Sequence, residues 1–172
     1  MSKLVVAEIE DAAGANPYST TVSSETTLSG TTPTITGIPA GVTKVDILME
    51  GVSTDGASEL MLRIGPSGGV ETSGYTSKSV RCVNTGTDTN TTAFIFTYGT
   101  AAGDTRDGIL QLRLSDATNN TWIFSGQHSD NGSPDINVSA GAKSLAGALE
   151  RVQFLSVSAD DYDAGTVALQ YS

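Results

Sequence analysis

The run from Ile35 to Gly56 constrains this chain most. Within it Val45, Ile47 and Met49 alternate with Lys44, Asp46 and Glu50, the period of two that marks a strand with one buried face. Pro39 and Gly41 break whatever precedes it, and Ser53, Thr54, Asp55 and Gly56 form a turn signal before Leu60, Leu62 and Ile64. The pattern predicts a hairpin at the centre of the core.

The same pattern recurs. Phe94, Phe96 and Tyr98 share a face, and Leu110, Leu112 and Leu114 oppose Gln111 and Arg113. A turn at Asn119 and Asn120 then leads into Thr121 to Ser125, so Leu110 to Phe124 reads as a second hairpin, with Trp122 packed in the core. Lys78 to Val83, Ile136 to Ala140, Leu149 to Val157 and Thr166 to Tyr171 read as further strands, and Ala142 to Leu149 has room for one helical turn. Ile64 to Tyr75 is too rich in Gly and Pro for regular structure. About nine or ten strands at intervals of roughly ten residues predict an all-β fold, an antiparallel β-sandwich of jelly-roll-like type. No coiled-coil heptads and no fixed-period repeat accompany them.

The 172 residues fit one such domain,. Residues 1–33 are read as an extended N-terminal docking arm and residues 34–172 as the sandwich head. Leu4, Val5, Val6 and Ile9 give the arm its only apolar run, and Ser19 to Thr34 is Thr-rich with little to bury,. Charge excludes more than it suggests. Nineteen acidic residues against nine basic ones leave −10, a poor match to a phosphate backbone, so no nucleic acid is expected as a partner. The N-terminal run is too short and too charged for a secretory or membrane segment, so synthesis in the cytoplasm and no membrane insertion are expected.

Candidate chemistry is thin. Gly65 to Gly69 spells G-x-S-x-G around Ser67, but no helix follows and the lone histidine, His128, lies in a distant polar stretch,. One imidazole does not make a zinc site, and Cys82, the single cysteine, reads as a small buried thiol within a strand. Asp160, Asp161 and Asp163 are the calcium candidates. They lack the twelve-residue EF-hand order, and a solvated acidic turn is the better reading. No cofactor is expected. Four residues in polar loops, Tyr75, His128, Asn131 and Tyr162, are candidates for facing a ligand such as a glycan, since sugars are held by aromatic faces and planar polar groups. The Asn90, Asn119, Asn131 and Asn137 sequons carry no weight without a signal peptide.

The segments Thr36 to Val45, Gly51 to Gly56, Gly69 to Tyr75, Leu149 to Val152 and Tyr162 to Thr166 resemble a β-rich module of tailed-bacteriophage virion-surface proteins. The opening Ser2 to Asp11, with Gly14 and Pro17, is similar to the leader of small phage fibre proteins. The resemblance implies a non-enzymatic structural protein of the virion, a short fibre or capsid decoration protein. It implies docking through the arm onto capsid or tail subunits, and a homotrimer. The alternative is a tail-fibre tip that binds a host-surface glycan. The resemblance brings no catalytic residues with it.

Overall fold

The computed structural model describes residues 20–83, 86–98, 100–132 and 135–172. Among them are thirteen strands and no helix: β1 (Thr21–Val22), β2 (Thr26–Thr27), β3 (Thr34–Thr36), β4 (Lys44–Thr54), β5 (Leu60–Gly65), β6 (Thr76–Arg81), β7 (Thr87–Asn90), β8 (Phe94–Ile95), β9 (Arg106–Asp116), β10 (Thr121–Asp130), β11 (Asp135–Ser144), β12 (Arg151–Ser156) and β13 (Tyr162–Tyr171). They form two antiparallel sheets, a large one ordered β1-β13-β4-β9-β10-β11-β6-β7, with β2 also on β13, and a small one ordered β3-β12-β5-β8. The chain is a β-sandwich.

Between the sheets lies one main core. Val45 and Ile47 of β4, Leu110 and Leu112 of β9, and Trp122 and Phe124 of β10 meet Leu60, Leu62 and Ile64 of β5 and Val152 and Phe154 of β12. Phe94 stacks on Phe124 with ring centroids 4.5 Å apart. A satellite cluster of Met61, Ala93, Ile95 and Leu155 covers the other side of the small sheet.

The expected hairpin between Lys44 and Ile64 is not formed. β4 pairs with β13 and β9, whereas β5 pairs with β12 and β8, so the Asp55–Gly56 turn carries the chain from one layer to the other. Alternation fixes which face of a strand is buried but says nothing of its neighbour. Here Leu60, Leu62 and Ile64 face β4 across the core instead of beside it. The crossing is held from the β12 to β13 connection: Asp55 N–H donates to the Asp161 carbonyl at 3.0 Å, and Ser58 N–H to Asp160 Oδ2 at 2.9 Å.

The Leu110 to Phe124 hairpin does form, with Leu112 opposite Phe124 and Leu114 opposite Trp122. Asp116 Oδ1 accepts the Thr118 and Asn119 amides in the turn, and Asn120 takes the left-handed conformation with φ of 47°, as Asn tolerates. The helical turn expected after Ala142 is absent, because β11 runs on to Ser144 while paired with β10. Thirteen strands replace the expected nine or ten, the extra ones being short edge pieces such as β1 and β2. Where β4 and β13 cross, their register shifts at Gly51 and Gly165, both at positive φ. A Cβ on Gly165 would come within 2.5 Å of the Gly51 carbonyl, so this bulge requires glycine.

The described part of the arm is bound into the sandwich. β1 and β2 pair with β13, Gly30 bridges Tyr162, and Leu28 is buried in the main core.

Candidate functional site

The candidate residues do not converge. Leu4, Val5, Val6 and Ile9 lie outside the described residues. Tyr75 is buried against Phe94. Its hydroxyl accepts Ile64 N–H at 3.0 Å and lies 2.9 Å from the Glu71 carbonyl it can donate to, and burial pushes the phenol up to about 12. Tyr162 is buried as well and donates to the Leu155 carbonyl at 3.2 Å. Burial likewise raises its phenol,. Neither ring is available to stack on a surface ligand. Their aromatic bodies went to the core and their polar ends to backbone carbonyls, an arrangement open to any Tyr beside a loop. Asn131 is exposed, but its amide is engaged by Asp107 Oδ2 at 2.6 Å.

The acidic stretch is structural in the same way. Asp160 caps the β4 to β5 crossing, Asp161 N–H donates to Asp55 Oδ1 at 2.9 Å, and Asp163 is exposed. Among the described residues no three His, Cys, Asp or Glu side chains gather as a metal site. Cys82 is exposed, not buried, because β6 ends at Arg81 and the thiol falls in the following turn. Ser67 sits in a turn whose carbonyl accepts Arg151 Nη2 at 2.8 Å.

His128 belongs to a polar strip that the alternation did not reveal. On the inner face of the large sheet, β10, β11 and β6 present His128, Asn137, Ser139, Ser77 and Ser79, all buried. Ser77, Asn137 and His128 hold the segment of residues 93–98, which makes few ladder bonds of its own, whereas the Ser79 and Ser139 hydroxyls are buried without a hydrogen-bond partner among the described residues. Ile95 N–H donates to Ser77 Oγ at 2.8 Å, Tyr98 N–H to Asn137 Oδ1 at 2.9 Å, and His128 Nε2 lies 2.9 Å from the Phe96 carbonyl. These side chains replace the sheet partners that the segment lacks. Nδ1 faces a second backbone carbonyl, that of Ser129, at 3.1 Å, and a neutral imidazole, with one N–H, can donate to only one of the two. Burial lowers the His128 pKa, with the Ser129 and Phe96 carbonyls opposing, Arg106 adding to the fall and Asp130 opposing it.

Arg106 and Asp130, opposite each other on β9 and β10, are both buried. Arg106 Nη1 donates to the Asp104 carbonyl at 2.9 Å. Burial raises the Asp130 carboxyl while Arg106 draws it down. The same burial lowers Arg106, opposed by Asp130 and then Asp104.

Because β11 turns its polar residues inward, its apolar residues point out. Val138 is 43% and Ile136 54% exposed. Val138 joins outward side chains of β4, β9, β10 and β6 in a straight cross-strand row, Leu48, Ile109, Gln127, Val138 and Val80, each opposite the next. Two open depressions of about 210 and 270 Å³ flank Gln127. The signal for this face was in the sequence as Ile136 alternating with Asn137 and Val138 with Ser139, yet alternation reads equally well with either set inward.

No protein family, curated protein or solved structure shows significant similarity to this chain.

Proposed function

We propose that this chain is a non-enzymatic structural protein of the surface of a tailed-phage particle, a short fibre or capsid decoration protein. The reading comes from the residue-level resemblance, and one observation carries it further: the groups able to do chemistry are engaged in holding the fold. His128 and Asn137 anchor residues 93–98, Asp160 and Asp55 secure the layer crossing, and the Tyr75 and Tyr162 hydroxyls bond to backbone. What the molecule offers to a partner is a broad sheet face and a chain that enters at β1, on the edge of the large sheet. Both suit assembly, where large surfaces do the work.

The test is incorporation into particles. Deleting residues 1–19 leaves every described strand in place, and the truncated protein is expected to fold, remain soluble and fail to enter particles; normal incorporation contradicts the docking role. Truncation to Pro33 is a poorer test, since it removes Leu28 from the core and β1 and β2 from β13.

A further inference from the structure

We propose that the outer face of the large sheet is a self-association surface on which two copies of this chain pack about a two-fold axis running along β10.

A sheet face turned to water ordinarily carries the polar half of the alternation, but β11 carries the apolar half outward, where Ile136 and Val138 are about half exposed. Contiguous apolar surface of this kind marks a contact.

Charge then selects the occupant. The outward side chains of the five central strands include three cations, Lys44, Lys78 and Arg113, and three carboxylates, Asp46, Glu50 and Asp107. This face is neutral on a chain carrying −10. A second copy can therefore approach here without the repulsion it meets over the rest of the surface.

Register selects the axis. The row Leu48, Ile109, Gln127, Val138, Val80 reads as a size-matched palindrome about Gln127. An axis along β10 sets Leu48 against Val80 of the second copy, Ile109 against Val138, and Gln127 against itself. In the next row Lys78 of the second copy comes over Asp46, which is buried beneath its own partners Lys44 and Gln111, so this row adds no like-charge contact and no new ion pair. A two-fold axis perpendicular to the strands would instead place Asp46 over Glu50. The Gln127 row has the self-complementarity that an isologous interface demands, while the Ser129 row sets Asp107 at the rim against Ile136. With strands about 4.8 Å apart and residues about 3.4 Å apart, the patch measures roughly 20 by 20 Å. That is about 400 Å² per copy, roughly half of a standard interface, so a weak, concentration-dependent dimer is expected. The inference does not depend on the particle: an assembly-incompetent dimer would refute the virion role alone, and a particle-bound monomer the dimer alone.

Cysteine cross-linking in the full chain, with Cys82→Ser removing the exposed thiol, tests both partner and axis. Under mild oxidation Gln127→Cys is expected to give a disulfide-linked dimer. Ile109→Cys alone should give little, and Ile109→Cys combined with Val138→Cys should cross-link efficiently. Sedimentation equilibrium should give twice the 17.6 kDa chain mass, and Val138→Asp should raise the dissociation constant at least about tenfold with an unchanged circular dichroism spectrum. A monomer at all concentrations, the trimer that the resemblance implies, or efficient cross-linking through Ile109→Cys alone while Gln127→Cys stays reduced would each overturn the proposal.

Discussion

The two halves of the large sheet solve the same problem in opposite ways. β4 and β9 turn Val45, Ile47, Leu110 and Leu112 inward and leave Lys44, Gln111 and Arg113 at the surface. β11 and β6 turn Asn137, Ser139, Ser77 and Ser79 inward and leave Ile136 and Val138 outside. In the first half apolar burial holds the layers together; in the second, hydrogen bonds from side chains to residues 93–98 do so. A buried polar group costs free energy wherever its partner is missing. The second half is therefore specified by a few directed bonds where the first is specified by volume.

Mutations should separate the two. Leu112→Ala, which empties a fully buried site on β9 in the apolar half, is expected to lower unfolding free energy by about 2–5 kcal/mol, measured by urea titration. Asn137→Ala strips the Tyr98 amide of its acceptor within a buried site and should cost roughly 1–3 kcal/mol. The comparison breaks if Asn137→Ala is neutral, because the polar strip would then be incidental.

The pH dependence of stability follows from the same strip. The His128 pKa is lowered by burial from its ordinary 6.5, so the unfolded chain takes up that proton before the folded one, and stability falls as pH drops below about 6.5. Asp130 shifts the other way. Its carboxyl is raised by burial, so the folded chain takes up that proton first, and acidification from its folded pKa down to the unfolded 3.8 favours folding,. His128→Gln keeps a donor for the Phe96 carbonyl and should flatten the fall in melting temperature below about pH 6.5; a profile identical to the parent's would show that His128 does not titrate with unfolding. At the alkaline end Tyr75, pushed up to about 12 from 10.0, keeps its proton after the unfolded phenol has lost it. Stability should fall as pH rises past 10, followed by phenolate absorbance.

The smallest effect belongs to the outer face. Val138→Ser, one residue from Asn137, should change protomer stability by no more than about 0.5 kcal/mol at concentrations below association.

This contrast also explains what could be read in the residues. The β9 to β10 hairpin was legible because its information is local: Leu110, Leu112 and Phe124 alternate, and Asp116 with Asn120 closes the turn between them. The β4 to β5 pairing was misread because Val45 and Leu62 look alike whether they lie side by side or across a core. The ligand-facing reading of Tyr75, His128 and Tyr162 met a related limit. Their buried surroundings come from partners distant in the chain, as when His128 meets Phe96 and Tyr162 meets Phe154. No local pattern encodes that Asn137 will serve the Tyr98 amide 39 positions earlier.

The central claim is that β11 is turned inside out relative to β4, and thiol labelling tests it most directly. In the Cys82→Ser background, Ile136→Cys and Asn137→Cys are compared under native conditions at concentrations too low for association. Ile136→Cys should react nearly as fast as in the unfolded chain, and Asn137→Cys only at the rate of unfolding. Protection of position 136 with rapid labelling of position 137 would contradict the account.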